Sequence, residues 1–173
     1  QSRTKIPVVM TASYDPVLEG FVESLARPGG NFTGMSLQSV DIVGKRLELL
    51  KEVVPGDAPI GVVWDRFSAA YWPAVQAAAA SKGWRVVSLE IESERDVDRI
   101  FAKAAEASVG SLIVFASGHL FGRQREFAAK ANASRLPAMF ELRPYVEAGG
   151  LMSYSASLIE IWRRAATFVD KIL

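Results

Sequence analysis

The sequence predicts an α/β fold with one or more parallel sheets and helices on both faces. Two observations indicate this class. Short apolar runs recur along the chain, and segments with helical periodicity lie between most of them. Four of these runs begin at residues 60, 85, 111 and 137, so successive starts are 25 or 26 residues apart. Strands that alternate with helices at this spacing are typical of a Rossmann-like three-layer α/β/α arrangement.

The first elements are predicted from an apolar run and from turn residues. The run at residues 6–10 predicts a strand, and Asp15 followed by Pro16 predicts a helix that ends near Ala26. An Asp carboxylate accepts hydrogen bonds from the free N–H groups of a first turn, and Pro fits the first helical position. A Pro-Gly-Gly-Asn turn at residues 28–31 ends this segment.

The next helix is predicted from the spacing of its apolar residues. Asp41 can cap it, and apolar residues follow at spacings of four, three and four, which places them on one face. These residues are Val43, Leu47, Leu50 and Val54. Pro55 and Gly56 end the helix.

The remaining elements follow the same logic. Strands are predicted at residues 60–64, 85–89, 111–115, 137–140 and 151–154. Pro73 suits a first helical turn, and Ser93 with Asp96 approximates a capping box. The clearest amphipathic helix spans residues 158–172. We expect its apolar stripe to pack on the 6–10 strand, to pack on another chain, or to lie exposed.

The composition excludes several function classes. The 20 Lys and Arg residues are interleaved with 19 Asp and Glu residues. A nucleic-acid-binding protein concentrates its basic residues on one element, so no nucleic-acid partner is expected. The chain has no Cys, which excludes disulfides, thiolate chemistry and Cys-based metal sites. It has no glycine-rich phosphate motif and no run of 18 apolar residues, so we expect no cofactor and no membrane insertion of this chain.

Five sequence motifs resemble one protein family. They are DPV at residues 15–17, LARPGGN-TG-S at 25–36, GKRLELLKE at 44–52, EAGGLMSY at 147–154 and RRAA--VDKIL at 163–173. Together they are similar to the substrate-binding proteins of ABC transporters, in the group that includes tryptophan-type solute-binding proteins. The resemblance runs along nearly the whole chain and implies a type I periplasmic-binding-protein-like fold. It also implies a periplasmic or other extracytoplasmic location, a small-molecule solute, and an ABC permease in the membrane as partner.

The resemblance implies two lobes, because the chain of such proteins crosses between lobes more than once. Residues 1–36 would form part of the first lobe, and residues 37–150 a nearly complete second lobe. Residues 151–173 would form the crossover back and the closing helix of the first lobe. We therefore expect the first lobe to be incomplete in this chain, with the signal sequence outside it.

The candidate ligand-binding residues follow the predicted strands. Ligands of open parallel α/β sheets collect beyond the carboxyl ends of the strands, where N–H groups and helix N-termini gather. Small hydroxyls, single charges and aromatic rings at these points suit a small, polar, amino-acid-like ligand. The candidates are Ser13, Asp15, Thr33 and Ser36 on the first-lobe side, and Asp65, Phe67, Ser117, Glu141 and Tyr154 on the second-lobe side. Two loops, at residues 65–69 and 117–121, depart from the usual family pattern, so the resemblance does not identify the solute.

Several candidates have alternative interpretations. Asp15 can simply cap its helix, and the first-lobe hydroxyls can satisfy backbone groups in a turn. Asp65 and Glu141 can be surface charges or, with His119, the acid–base groups of a small α/β enzyme. A ligand-sensing domain of a regulator or receptor with the same fold is a further alternative, because fold alone does not determine function. We expect a binding protein and no enzyme.

Overall fold

The computed structural model describes residues 5–13, 15–37 and 40–172. In chain order its strands are β1 (Val8–Ser13), β2 (Phe32–Ser36), β3 (Ile60–Trp64), β4 (Val86–Glu90), β5 (Ser111–Val114), β6 (Ala138–Phe140) and β7 (Met152–Ser153). Its helices are α1 (Val43–Val53), α2 (Tyr71–Ser81), α3 (Val97–Glu106), α4 (Gln124–Ala133), α5 (Arg143–Glu147) and α6 (Leu158–Ile172). Within these described ranges, no helix is long and apolar enough to cross a membrane.

The chain divides into two compact units. The smaller unit consists of Gln1–Asp41 and Ala156–Leu173, and the larger unit is Ile42–Ser155. β1 and β2 form a parallel pair in the smaller unit. The larger unit has a five-stranded sheet in the order β4-β3-β5-β6-β7, and every neighbouring pair in it is parallel. The predicted α/β class with parallel sheets is confirmed.

The core of the larger unit explains why its central strands are continuous apolar runs. Side chains alternate between the two faces of a strand, and helices cover both faces of this sheet. On one face, Val63, Val114 and Phe140 pack with residues of α3 and α4 in one buried cluster. On the other face, α1 and α2 pack together, and α1 also contacts β5 and β6. This is the predicted three-layer α/β/α arrangement.

The smaller unit contains the β1–β2 pair with α6 packed on it. The helix contacts both strands, and Ile161 and Ala165 are its buried residues. The predicted apolar stripe is therefore divided: part of it packs on the first strand, while Trp162, Val169 and Ile172 are exposed. Gly34 permits the close approach of the two strands, because its φ is +136° and a Cβ there would collide with the carbonyl oxygen of Met10.

The predicted helix at residues 15–26 is wrong. Asp15 does accept hydrogen bonds from two N–H groups of the residues that follow it, at 3.1 and 3.0 Å. The chain then forms turns over residues 16–20 and takes a φ of +74° at Gly20, which breaks any helical ladder. An Asp-Pro pair therefore begins a turn as readily as a helix, because in both structures the Asp carboxylate accepts hydrogen bonds from the backbone N–H groups that follow it.

The segment that returns to the smaller unit begins later than expected. β7 pairs with β6, with Met152 opposite Met139 and Ser153 opposite Phe140. Met152 and Ser153, which the sequence-based expectation places in the crossover, therefore pair with the sheet of the larger unit. Gly150 allows this pairing, because a Cβ at that position would press against the Phe140 ring. The observed division falls at 41/42 and 155/156, compared with 36/37 and 150/151 in the sequence-based expectation.

Candidate ligand-binding site

The carboxyl edge of the five-stranded sheet gathers five of the predicted site residues. Parallel strands end at the same edge, so the segments that leave β3, β5, β6 and β7 meet there. These segments carry Asp65, Phe67, Ser117, Glu141 and Tyr154. Three of the five are buried and two are exposed.

Asp65 is fully buried and organises the turn that follows β3. Its Oδ1 accepts hydrogen bonds from the N–H groups of Phe67 and Ser68, at 2.9 and 3.1 Å, and from the Ser68 hydroxyl at 3.1 Å. Its Oδ2 accepts a hydrogen bond of 2.7 Å from the Ser117 hydroxyl. Four protein donors thus satisfy this carboxylate, which needs such partners to stay buried.

Ser117 joins two loops of the sheet edge. Its hydroxyl donates to Asp65 and also accepts from the N–H of His119, at 3.1 Å, at the start of the short 3₁₀ helix Gly118–Leu120. The loop after β5 is therefore tied to the loop after β3 by one buried side chain. His119 itself is half-buried and contributes its backbone N–H to this cap.

Glu141 is buried and forms the centre of a second network. Its Oε1 accepts hydrogen bonds from Arg46 Nη2 at 3.1 Å and from the Tyr71 hydroxyl at 3.2 Å. Its Oε2 accepts a hydrogen bond of 2.7 Å from the N–H of Ala116. Arg46 also donates from Nε to the carbonyl oxygen of Tyr154, at 2.8 Å. One ion pair therefore connects α1, α2 and the loops after β5, β6 and β7.

Arg46 is the residue that sequence reasoning missed. It lies on α1 between Val43 and Leu47, on the face that those apolar residues bury, and its side chain is fully buried. A charged residue in the middle of an apolar helical stripe is the signal that was available, because Arg is almost never fully buried without a partner. The partner, Glu141, lies 95 residues further along the chain.

These contacts change the interpretation of three predicted ligand contacts. The polar atoms of Asp65, Ser117 and Glu141 already have protein partners, and none of the three side chains is open to solvent in this structure. Their hydrogen bonds fix the loops of the sheet edge. Phe67 and Tyr154 keep 58% and 41% of their surface exposed, and Arg66 places its guanidinium 4.6 Å from the Phe67 ring centroid. These groups remain available to a ligand.

The four predicted residues of the smaller unit lie on β1, on β2 and in the turn after β1. Ser13 and Ser36 are opposite each other at the end of the β1–β2 pair, and Thr33 is opposite Val9. The hydroxyl of Ser13 is buried and donates to Glu19 Oε2 at 2.6 Å. Asp15 caps its turn through Oδ1. Thr33 and Ser36 are half-buried.

The smaller unit also has a surface pocket of about 920 Å³. It is lined by Lys5, Glu19, Gly20, Phe21, Val22, Glu23, Pro28, Gly29, Gly30, Asn31 and Phe32. None of the four predicted residues of this unit lines it. The pocket is therefore a feature that the sequence did not indicate.

Comparison with known proteins identifies the family. The sequence model of the family described as ABC transporter substrate binding protein matches residues 1–173. The chain belongs to this family. The resemblance found in the sequence motifs is thereby confirmed, along with a periplasmic-binding-protein-like fold.

Three relatives of this substrate-binding protein show how far the similarity extends. A tyrosine-binding protein from Clostridioides difficile (strain R20291) is 48% identical over 61 residues, which are 35% of this chain and 17% of that protein. The crystal structure of a conserved domain protein from Vibrio cholerae has a TM-score of 0.86 at 29% identity, over 98% of this chain and 57% of that one. The structure of an ABC domain in complex with L-Trp from Streptococcus pneumoniae has a TM-score of 0.81 at 21% identity, over 96% and 56%. The chain thus spans a little more than half the length of these solved structures.

Proposed function

We propose that this substrate-binding protein is the extracytoplasmic, periplasmic solute-binding component of an ABC importer. It captures a small, polar, amino-acid-like ligand in a cleft between two lobes and delivers it to an ABC permease in the membrane. The observation that carries the proposal is the family match along the whole chain. The relatives named for tyrosine and L-Trp support an amino-acid-like solute.

The exposed groups at the sheet edge of the larger unit would meet the ligand. Phe67 and Tyr154 offer aromatic surface, while Asp65, Ser117 and Glu141 hold the surrounding loops in place. A small-molecule site gains its selectivity from a small number of polar groups held in fixed positions. The remaining walls would come from the smaller unit, through the predicted residues Ser13, Asp15, Thr33 and Ser36. Closure of the two lobes on the ligand would then create the form that the permease recognises.

The proposed role is binding without catalysis. The two carboxylates considered for acid–base chemistry, on Asp65 and Glu141, are each engaged by protein donors in separate networks. A general acid or base must be within hydrogen-bond reach of the proton that it transfers, and these oxygens face the protein interior. Family membership supports the same conclusion.

A thermal-shift screen of the full-length gene product tests the proposal. Amino acids, short peptides, nucleosides and sugars are each added well above micromolar concentration. A ligand present at a hundred times its Kd stabilises the folded protein by about 2.7 kcal/mol, so a shift of several degrees is expected for amino acids alone. The proposal fails if no amino acid stabilises the protein, or if a different solute class produces the shift.

A matched set of aromatic variants separates binding from general stability. Phe67→Ala and Tyr154→Ala should reduce the ligand-induced shift. Trp162→Ala removes an aromatic side chain that is 54% exposed on α6, outside the proposed site, and should leave the shift unchanged. An equal loss of the shift in all three variants would contradict the assignment of the site.

A further inference from the structure

One residue of α1 forms hydrogen bonds at both ends of the larger unit. That unit runs from Ile42 to Ser155, so the chain enters it at the start of α1 and leaves it after Tyr154. The N–H of Arg46 donates to the carbonyl oxygen of Ile42 at 3.0 Å, and its Nε donates to the carbonyl oxygen of Tyr154 at 2.8 Å. The points at which the chain enters and leaves the larger unit are therefore joined through Arg46.

The core of the larger unit holds the guanidinium of Arg46 in a fixed orientation. Its Nη2 donates to Glu141, and its Cζ lies 5.7 Å from the Phe115 ring centroid. The Tyr71 hydroxyl holds Glu141 in turn, at 3.2 Å. Hydrogen bonds of a charged group are strong in a buried site, because water does not compete for the donors. Since Arg46 is fully buried, its contact with Tyr154 is anchored in the core.

The strand that leads to the exit of the chain is weakly attached by itself. β7 has two residues and lies at one end of the five-stranded order. After it, the N–H of Tyr154 donates to the carbonyl oxygen of Phe140 at 3.1 Å. A short strand at a sheet edge makes few hydrogen bonds, so it opens locally at a low free-energy cost. The bond from Arg46 to the Tyr154 carbonyl therefore adds a buried attachment at the point where the pairing of β7 ends.

The position of such an attachment determines where a chain can bend. The closure of two domains is absorbed by a few residues in loops or at element ends, and packed secondary structure moves as a rigid body. In this chain, Arg46 attaches Ile42 and Tyr154 to the same buried side chain. Bending is then confined to the parts of the chain that lie outside residues 42–154.

We propose that Arg46 is the hinge-positioning residue of this protein. It fixes both chain connections where they meet the larger unit, and it thereby limits lobe movement to the residues outside them. Glu141 acts through Arg46, because it holds the guanidinium in place beside the Tyr154 carbonyl. The inference rests on the proposed function, since it concerns the closure on which solute capture depends, and it deepens that function by naming the residue that sets the hinge.

Distance measurements on the ligand-free, full-length gene product test the inference. One spin label is attached at Arg164→Cys on α6 and one at Lys103→Cys on α3, both exposed positions, in a background without other Cys. Pulsed electron–electron double resonance then gives the distribution of distances between the labels. Arg46→Met should widen this distribution relative to the labelled protein with Arg46, because the larger-unit ends of the connections are no longer fixed.

Two further variants separate hinge positioning from general stability. Leu50→Ala removes a fully buried apolar side chain from the same helix and should leave the distance distribution unchanged. The double variant Arg46→Met/Glu141→Gln removes the buried charge that Arg46→Met leaves without its counter-charge, so it should be the more stable of the two. It does not restore the guanidinium beside Tyr154, so the widened distribution should persist.

Amide hydrogen exchange gives an independent readout at the exit of the chain. The N–H of Tyr154 should exchange about tenfold faster in both Arg46 variants, as expected when a segment loses one hydrogen bond from a charged donor. Leu50→Ala should speed the exchange of the central strand β3, which opens with the whole unit, and should leave the exchange of Tyr154 unchanged. Equal acceleration of Tyr154 in Leu50→Ala would contradict a specific role of Arg46.

The outcomes separate this inference from the proposed function. Unchanged distances in the Arg46 variants overturn the inference, as does an equal widening in Leu50→Ala or a return to the original distances in the double variant. If the thermal-shift screen finds an amino acid while the distances stay unchanged, the solute-binding function stands and the inference fails. If the screen finds no solute while the Arg46 variants alone widen the distances, the assignment of Arg46 stands and the proposed function fails.

Discussion

The buried ion pair between Arg46 and Glu141 gives the sharpest stability prediction. Both side chains are essentially inaccessible to solvent, and the closest N–O distance is 3.1 Å. Removing one partner of such a pair leaves an uncompensated buried charge, which costs about 3–5 kcal/mol. Arg46→Met should fall near the lower end, because Glu141 keeps its hydrogen bonds from Tyr71 and Ala116. Glu141→Leu should cost more, since it removes the acceptor of three buried hydrogen bonds together with the counter-charge of Arg46.

A second substitution should recover part of the loss. Adding Glu141→Gln to Arg46→Met removes the buried negative charge while the amide oxygen can still accept a hydrogen bond. The double variant should therefore be more stable than Arg46→Met alone, by about 1 kcal/mol or more. Urea denaturation is monitored by circular dichroism and fitted with a common m-value. It gives the free energies of unfolding of wild type, the single variants and the double variant.

The exposed pair Arg143–Glu147 is the matched control. Its N–O distance is 3.0 Å, similar to that of the buried pair, but its side chains are 83% and 62% exposed. Arg143→Met should cost less than about 1 kcal/mol, because solvent screens the pair. The reasoning is refuted if Arg46→Met costs no more than Arg143→Met, or if the second substitution at Glu141 destabilises the Arg46→Met protein further.

Three further predictions concern packing, backbone and acid stability. Leu50→Ala removes a fully buried side chain of α1 and should cost about 2–5 kcal/mol in the free energy of unfolding, measured by urea denaturation. Gly34→Ala should cost at least about 1–3 kcal/mol in the same assay, since it combines a positive φ with a collision against the β1 backbone; an unchanged midpoint would contradict the described β1–β2 register. The Arg99 side chain and the N–H groups of Glu92 and Ser93 hold the pKa of Asp96 well below its ordinary value. A carboxyl group with a lowered pKa stabilises the fold at pH values above its ordinary pKa, and this contribution is lost as the pH falls below that value. Wild type should therefore lose more stability than Asp96→Asn between pH 6 and pH 3.

The sequence predicted the fold of the larger unit well because buried parallel strands have a simple signature. The strand predicted at residues 60–64 coincides with β3, and those predicted at 85–89, 111–115 and 137–140 overlap β4, β5 and β6. Helices cover both faces of these strands, so each reads as an uninterrupted apolar run. The turns after Asp15 were mistaken for a helix because capping residues act locally and do not require that a helix follows.

The position of these residues at the sheet edge was also predictable, whereas their hydrogen-bond partners were not. Strand ends mark the sheet edge in sequence, so Asp65, Phe67 and Glu141 were correctly placed there. Whether a carboxylate faces solvent or the interior depends on partners far away in sequence. Ser117 lies 52 residues from Asp65, and Arg46 lies 95 residues from Glu141. No local pattern reports such pairings.

The central claim is that this substrate-binding protein binds an amino-acid-like solute, and equilibrium titration of the full-length gene product with L-Trp and L-Tyr tests it most directly. The account predicts saturable binding with one ligand per protein, which Phe67→Ala weakens and Trp162→Ala leaves unchanged. Absence of binding to these and every other amino acid, from a protein that unfolds cooperatively in urea, would contradict it.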